Sequence, residues 1–146
     1  MQADPQRHLY LAGAILFGLG AVTGILVSAV FTGKLGGNPD FMLAAHLNAL
    51  MGCFWLVCIG STWSRVSLKP SHARLLIQST VIAAYANWGV TVVKALLDVR
   101  GIDAIGEAQN DAVFGALTLT VVIPTLLSSV LWVRGLWKSG PGLGDA

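Results

Sequence analysis

Charged side chains are scarce in this sequence. Lysine, arginine, aspartate and glutamate supply only 11% of its 146 residues, whereas 55% of the residues are hydrophobic. Soluble domains carry roughly 25% charged residues, so the shortage excludes an ordinary soluble domain and indicates a membrane protein. The net charge is only +2, and no basic stripe is interleaved with aromatic residues, so nucleic acid is not expected as a partner.

Several motifs for cofactors and metals are also missing. Cys53 and Cys58 are five positions apart, which is neither a CxxC pair nor a spacing suited to a disulfide, so both are expected to be packing residues. No second histidine or cysteine stands at the ligand spacing of a tetrahedral zinc site. There is no CxxCH motif for covalent haem and no glycine-rich phosphate loop.

What the sequence does contain is a set of long apolar stretches. Each is long enough to cross a bilayer as a helix, which takes roughly 20 residues. They span about residues 9–31, 41–63, 75–97 and 112–136. Because the connections between them are short, the expected fold class is all-α: residues 1–146 form a single integral membrane four-helix bundle. Pro124 is expected to kink the fourth helix.

A cleaved signal peptide is the alternative interpretation of the first stretch, because Val-Ser-Ala before Val30 resembles a cleavage site. The apolar region is too long for a signal peptide, so a membrane span is favoured. The bias of lysine and arginine predicts the orientation. One side has Arg7, Arg65, Lys69, Arg74, Arg134 and Lys138, and the other has Lys34, Lys94 and Arg100. Both termini are therefore expected in the cytoplasm.

Small residues form a face on each of the first two helices. Gly13, Gly20 and Gly24 share one face of the first helix, because they are spaced by seven and four residues. Ala45, Ala49 and Gly52 form a similar face on the second. Small residues let helix backbones approach closely in lipid. Two such faces are more than a four-helix bundle strictly requires, and they are suited to packing within the bundle or between copies of the chain.

Polar side chains from three helices fall at one depth near the predicted outer face. On the second helix, His46 lies roughly 8 Å below the outer end and Asn48 roughly 3 Å deeper. The third helix carries a polar stripe, and two polar residues begin the fourth. These residues are Asn87, Thr91, Lys94 and Asp98 on the third helix, and Asn110 and Asp111 on the fourth. Ionisable groups at membrane depth usually face a cavity and mark function.

Each of these residues also has a structural interpretation. His46 is then a satisfied core histidine, Lys94 and Asp98 are an i,i+4 pair reaching the interface, and Tyr85 is a packing aromatic. The convergence at one depth favours the functional interpretation. A single imidazole on an apolar helix wall suits one axial ligand to noncovalent haem.

Three segments resemble the bacterial hydroxylaminobenzene mutases, which are small membrane proteins of nitroaromatic degradation. They are AAHLNALMGCFWLV, YANWGVTVVKALLDVRG and NDAVFGALTLTVVIPTL, and the resemblance covers roughly residues 8–137. The layout is more distantly similar to styrene oxide isomerase, a trimeric four-helix membrane enzyme that uses ferric haem b as a Lewis acid. The resemblance implies conversion of an aryl hydroxylamine, such as hydroxylaminobenzene, to an ortho-aminophenol by intramolecular hydroxyl transfer, without net redox change.

The resemblance also implies roles for particular residues. Asn48 lines up with an asparagine that helps to hold the substrate oxygen in the isomerase. Asn87 and Tyr85 line up with the asparagine and the tryptophan of a Trp-Ser-Asn stretch. The haem-ligating histidine of the isomerase falls at Met42, one turn before His46 on the same face. His46 is therefore expected to bind the haem iron near Met42, while the other three residues position the substrate.

Three further residues are candidates for moving protons near the outer mouth: Lys94, Asp98 and Asp111. Residues 98–111 are expected to lie over this mouth. The expected partners are a small aromatic hydroxylamine, the lipid bilayer and further copies of the chain in a homotrimer. Two alternatives stay open: a haem-bearing membrane electron carrier, and a small transporter or assembly protein without a cofactor. The first would need a second axial ligand, and His8 and His72 lie near the cytoplasmic ends.

Overall fold

The computed structural model describes residues 4–138, and within them every regular element is helical. The elements are α1 (Pro5–Phe31), α2 (Pro39–Thr62), α3 (Pro70–Leu97), α4 (Ala108–Leu117) and α5 (Ile123–Trp137), with a 3₁₀ turn (Trp63–Arg65) after α2 and a π-helical turn (Thr118–Val122) that joins α4 to α5. Four helical segments are long and apolar enough to cross a membrane: Pro5–Phe31, Pro39–Arg65, Pro70–Leu97 and Ala108–Trp137. The expectation of an all-helical, four-span membrane protein is confirmed, and the side on which the termini lie stays a prediction.

All four spans begin before the apolar stretches predicted from the sequence. α1, α2 and α3 each start at a proline, which is favourable because the first helical N–H has no partner within the helix. Asp4 Oδ1 accepts a hydrogen bond from Gln6 N at 3.0 Å, and Asn38 Oδ1 accepts from Asp40 N at 3.1 Å. These side chains cap the helix ends. The helices therefore continue through polar first turns that hydropathy alone does not reveal.

The two small-residue faces pack inside the chain. A Cβ on Gly20 would lie 3.0 Å from Ala49 Cβ, and a Cβ on Gly24 would lie 3.3 Å from His46 Cε1. A Cβ on Gly52 would lie 2.9 Å from a Leu16 methyl group. Both faces are thus used to bring α1 close to α2. Because the α1 and α2 faces fit each other, neither is left over for contact with another copy, and the homotrimer itself stays a prediction.

The remaining spans follow in sequence around this pair. α2 also packs along α3, and the fourth span packs chiefly on α3. At one end Trp132 Nε1 donates to Thr62 Oγ1 at 3.0 Å, which ties α5 to α2. Cys53 is buried, as expected of a packing residue, but Cys58 is exposed on the surface of the helices, so the packing interpretation is wrong for Cys58.

The irregularity expected from Pro124 appears one turn before it, as the π-helical turn at Thr118–Val122. Proline has no N–H to donate to the carbonyl of Thr120, and its ring would clash with that carbonyl in a regular α-helix. Insertion of a wider turn relieves this clash. The hydroxyl of Thr120 donates to Ala116 O at 2.7 Å within the same region.

Candidate active site

A hydrogen-bonded cluster of polar side chains joins α2 to α3. Asn48 Nδ2 donates to Asn87 Oδ1 at 3.2 Å and to Thr91 Oγ1 at 3.1 Å. The two asparagines are half-buried and Thr91 is buried. Asn48 and Asn87, which the sequence had assigned to one depth, are therefore in direct contact. This group of three residues is called the amide cluster below.

Thr91 fixes the direction of the hydrogen bonds in the amide cluster. Its hydroxyl donates to Asn87 O at 2.6 Å, so its oxygen can only accept from Asn48. Asn48 must therefore present its NH₂ group, and Asn87 must present its carbonyl oxygen to Asn48. Asn48 Oδ1 and the Asn87 NH₂ group then have no hydrogen-bond partner among residues 4–138, and neither atom is a fully buried orphan. The cluster offers one acceptor and one donor to a ligand.

His46 lies on a different side of α2. Its Nδ1 is 2.8 Å from Gly20 O, and its ring fills the space beside Gly24. A carbonyl oxygen can only accept, so Nδ1 carries the proton and Nε2 of the neutral ring keeps its lone pair. A backbone carbonyl that orients a histidine in this way is typical of metal-ligating histidines. The local structure of His46 therefore suits an axial ligand.

His46 and the amide cluster lie at a similar depth but on different sides of α2. Positions 46 and 48 are separated by about 200° around a helix. His46 accordingly contacts α1, whereas Asn48 contacts α3. The two residues therefore do not face one cavity within a single chain, because the α-helical rotation turns them toward different neighbours.

Tyr85 also lies apart from the amide cluster. Its hydroxyl donates to Ala12 O at 2.8 Å. Ala12 lies eight positions before Gly20, which is about 12 Å along α1, and Gly20 packs at the level of Ala49. The structure therefore does not bring Tyr85 to Asn48, and its hydroxyl fastens α3 to α1 instead.

Met42 occupies the core rather than a cavity. Its exposed fraction is 0%, and it packs in a small cluster with Val30 and Ala95. This cluster joins α1, α2 and α3 at the end where α2 begins. Met42 consequently has no open side from which to contact a bound group.

Lys94 and Asp98 do not pair with each other. Lys94 Nζ lies 4.3 Å from the centroid of the Phe41 ring, a cation–π arrangement. Asp98 adopts a left-handed conformation (φ 52°) at the end of α3, and its Oδ1 accepts from Asn38 Nδ2 at 2.9 Å. The interpretation of the two residues as an i,i+4 pair is wrong, because the helix ends at Asp98 and turns its carboxylate toward the start of α2.

Asp111 and its neighbour Asn110 organise the loop that precedes α4. The Asp111 carboxylate accepts from Ile105 N at 2.9 Å and from Gly106 N at 3.0 Å. Asn110 is 2% exposed, and its Oδ1 accepts from Gly101 N at 2.7 Å. Both oxygens of Asp111 thus serve the loop backbone. A role for Asp111 in moving protons stays a prediction that competes with this structural role.

Thr91 is the residue that sequence reasoning left out of the site. It had been noted in the polar stripe of α3 but given no function. Its spacing of four from Asn87 was the available signal, because a threonine hydroxyl often donates to the carbonyl four residues earlier. Within residues 4–138 no group of three or more histidine, cysteine, aspartate or glutamate side chains is placed to share a metal ion. An axial haem ligand requires only one such side chain.

These features define a multi-pass helical membrane protein with a polar cluster between two of its spans. The chain belongs to the styrene oxide isomerase family, whose family model matches residues 5–137. It is 27% identical over 141 residues to the hydroxylaminobenzene mutase HabB of Ectopseudomonas oleovorans, covering 92% of this chain and 82% of that protein. It is 30% identical over 83 residues to the hydroxylaminobenzene mutase HabA of the same organism, covering 57% of each chain. No solved structure matches the chain.

The comparisons confirm the resemblance inferred from the three sequence segments. The family and the names of the two relatives together indicate a membrane-embedded isomerase.

Proposed function

We propose that the protein is a membrane isomerase that converts aryl hydroxylamines to ortho-aminophenols by intramolecular hydroxyl transfer. The amide cluster carries this proposal, because it offers a fixed donor and a fixed acceptor between two membrane spans. The names of the two hydroxylaminobenzene mutases support the choice of substrate. The proposed location is the bacterial inner membrane, with both termini in the cytoplasm.

The proposed reaction rearranges one molecule without an oxidant or a reductant. The N–O bond breaks, a C–O bond forms at the ortho carbon, the proton displaced from that carbon leaves, and one proton is taken up at nitrogen. The site must hold the migrating oxygen beside the ring and keep bulk water away while the N–O bond is broken. These requirements favour a site between helices inside a bilayer.

The amide cluster has the groups to orient such a substrate. The Asn87 NH₂ group donates to the hydroxylamine oxygen, and Asn48 Oδ1 accepts from the N–H of the substrate. Thr91 keeps both amides in the orientation that this arrangement needs. Oriented hydrogen bonds of this kind are effective because they need no reorganisation as charge develops. Tyr85 would act indirectly, by holding α3 against α1.

The residues around His46 fit the axial ligation of haem b. Gly20 O accepts the Nδ1 proton, so Nε2 is the available ligand atom. When bound there, ferric haem would supply a Lewis acid for the substrate oxygen. Met42 does not fit a ligand role, because it is fully buried. Because His46 and Asn48 face different sides of α2, we propose that the chain forms a homotrimer in which one copy would hold the haem and another would supply the amide cluster.

The test uses detergent-purified full-length protein and phenylhydroxylamine whose oxygen is isotopically labelled. The proposal expects 2-aminophenol that retains the label, whereas incorporation of oxygen from water would contradict the intramolecular route. An electron carrier or a transporter would give no such product.

A visible spectrum of the same sample tests the haem. His46→Ala should lose the Soret band and turnover together while the protein still inserts in the membrane, and His72→Ala, the matched control, should lose neither. Colourless wild-type protein with full activity would remove the haem from the proposal and leave the mutase, with His46 as a candidate general acid. Retention of both colour and activity in His46→Ala would show that His46 is only a packing residue.

A further inference from the structure

A long groove runs between α1 and α3, away from the amide cluster. Its wide end is a cavity of about 510 Å³ whose lining includes Trp63 and Arg74. Its narrow end is a cavity of about 250 Å³ whose lining includes Val81 and Tyr85. His8 lines both cavities, so they are neighbours along α1 and α3. The groove exists because α1 and α3 each pack mainly on α2 and touch each other little.

The groove changes from polar to apolar along its length. The wide end has the side chains of His8, Arg74 and Gln78. The narrow end has Leu11, Ile15 and Val81. At its far end the hydroxyl of Tyr85 donates to the Ala12 carbonyl, so its proton is not available to a ligand there. A ligand that matches this gradient has a polar head and an apolar tail.

We propose that this groove binds one anionic phospholipid, with the phosphate at Arg74 and His8 and one acyl chain beside Leu11, Ile15 and Val81. The guanidinium of Arg74 can donate two parallel hydrogen bonds to a phosphate. The helices α1 and α3 begin at Pro5 and Pro70, which both line the wide end. Their positive ends add to the attraction for an anion.

The length of the groove fits one leaflet of a bilayer. Pro5 lines the wide end and Ile15 lines the narrow end, and ten residues of helix correspond to about 15 Å. Half of a bilayer, with its headgroup region, is about 20 Å thick, so the groove reaches from the headgroups into the hydrocarbon of one leaflet. Trp63 lies beside the wide end, in the position typical of aromatic residues at the membrane surface.

Other occupants match the groove less well. A helix from a second copy would bury the Arg74 guanidinium against apolar side chains, which is unfavourable without a paired anion. A neutral aryl hydroxylamine has neither a charge for Arg74 nor a tail for the narrow end.

The test is native mass spectrometry of the full-length protein in detergent, with dioleoyl phosphatidylglycerol or dioleoyl phosphatidylcholine added. We expect one phosphatidylglycerol retained per chain and phosphatidylcholine released. Arg74→Gln should weaken retention of phosphatidylglycerol by about 10- to 100-fold, the effect of losing hydrogen bonds between charged groups. Arg134→Gln is the matched control, because Arg134 lies on α5 outside the groove and carries the same charge.

A second pair of variants tests the acyl chain. Val81→Trp should fill the narrow end and reduce retention without a change of charge, whereas Ile82→Trp, at a position that is 51% exposed, should not. Equal retention of the two lipids, or equal effects of Arg74→Gln and Arg134→Gln, would overturn the proposal. A change of oligomeric state in Val81→Trp with normal lipid retention would also overturn it and identify the groove as a contact between copies.

Discussion

Asn48→Ala is the substitution that most directly tests the amide cluster. It removes both hydrogen bonds that Asn48 Nδ2 makes to α3 and the acceptor that Asn48 Oδ1 offers to the substrate. Hydrogen bonds between membrane helices contribute about 0.6 kcal/mol each on average. The free energy of unfolding should therefore fall by only about 1 kcal/mol, and the protein should still insert and fold.

Turnover should fall much more than stability. Loss of one oriented hydrogen-bonding group at a developing charge typically costs about 10² to 10³ in kcat. The assay is formation of 2-aminophenol from phenylhydroxylamine in detergent, measured together with the thermal midpoint of the same sample. A large kinetic effect with a small thermal effect is the expected pattern.

Thr91→Val tests whether Thr91 orients the two amides of the cluster. Valine keeps the shape of threonine but cannot accept from Asn48, so the two amides can adopt either direction of hydrogen bonding. If the two directions become equally populated, about half of the molecules are competent, and turnover falls about twofold. Thr23→Val is the matched control. The Thr23 hydroxyl likewise donates to the carbonyl four residues earlier and accepts from another helix, through Trp88 Nε1 at 2.9 Å.

The double variant decides whether Thr91 acts through Asn48. If it does, Asn48→Ala combined with Thr91→Val should be no slower than Asn48→Ala alone, since residues that act as a unit are not additive. Multiplicative losses in the double variant would refute the orienting role of Thr91. Full activity in Asn48→Ala would refute the assignment of the site to the amide cluster.

Three other predictions concern the scaffold. A reporter that is active only in the periplasm, fused after Ala146, should be inactive, because the lysine and arginine bias predicts cytoplasmic termini. Activity of this reporter would reverse the predicted topology. Gly20→Leu should lower the thermal midpoint, because the Cβ alone would lie 3.0 Å from Ala49 Cβ. Gly18→Leu should not, because a Cβ at Gly18 meets no atom within 4 Å. Equal midpoints for the two variants would contradict the close contact at Gly20. Asn110→Ala should make residues 99–107 more sensitive to protease in intact vesicles, because Gly101 N loses its partner, and unchanged cleavage would contradict this role.

Hydropathy predicted the four spans because the energetic cost of polar groups in lipid acts on every residue of a span. It misplaced the starts of α1 and α2 because these depend on local capping. Asp4 and Asn38 directly precede α1 and α2, and their side chains accept hydrogen bonds from the first turn of these helices. Such caps lie outside the hydrocarbon, where hydropathy carries no information.

Depth within the membrane was also predictable, because each helical residue adds about 1.5 Å along the axis. Asn48 and Asn87 were assigned to one depth and do meet. The neighbour that each side of a helix faces was not predictable, because it depends on how the four helices are arranged. For this reason Tyr85 and His46 were grouped with Asn48, although both contact α1.

One glycine of the small-residue face of α1, Gly24, lies against the His46 ring rather than against another small residue. Gly24 leaves room for the His46 ring, since an added Cβ would lie 3.3 Å from Cε1 and 3.4 Å from Nδ1. Gly24→Ala should therefore displace the ring by a few tenths of an ångström and strain its hydrogen bond to Gly20 O. If His46 ligates haem, the Soret maximum should shift and haem should dissociate faster, while Gly18→Ala, which meets no atom within 4 Å, should leave both unchanged. An unchanged spectrum in Gly24→Ala, with haem bound, would show that the iron is held by another group.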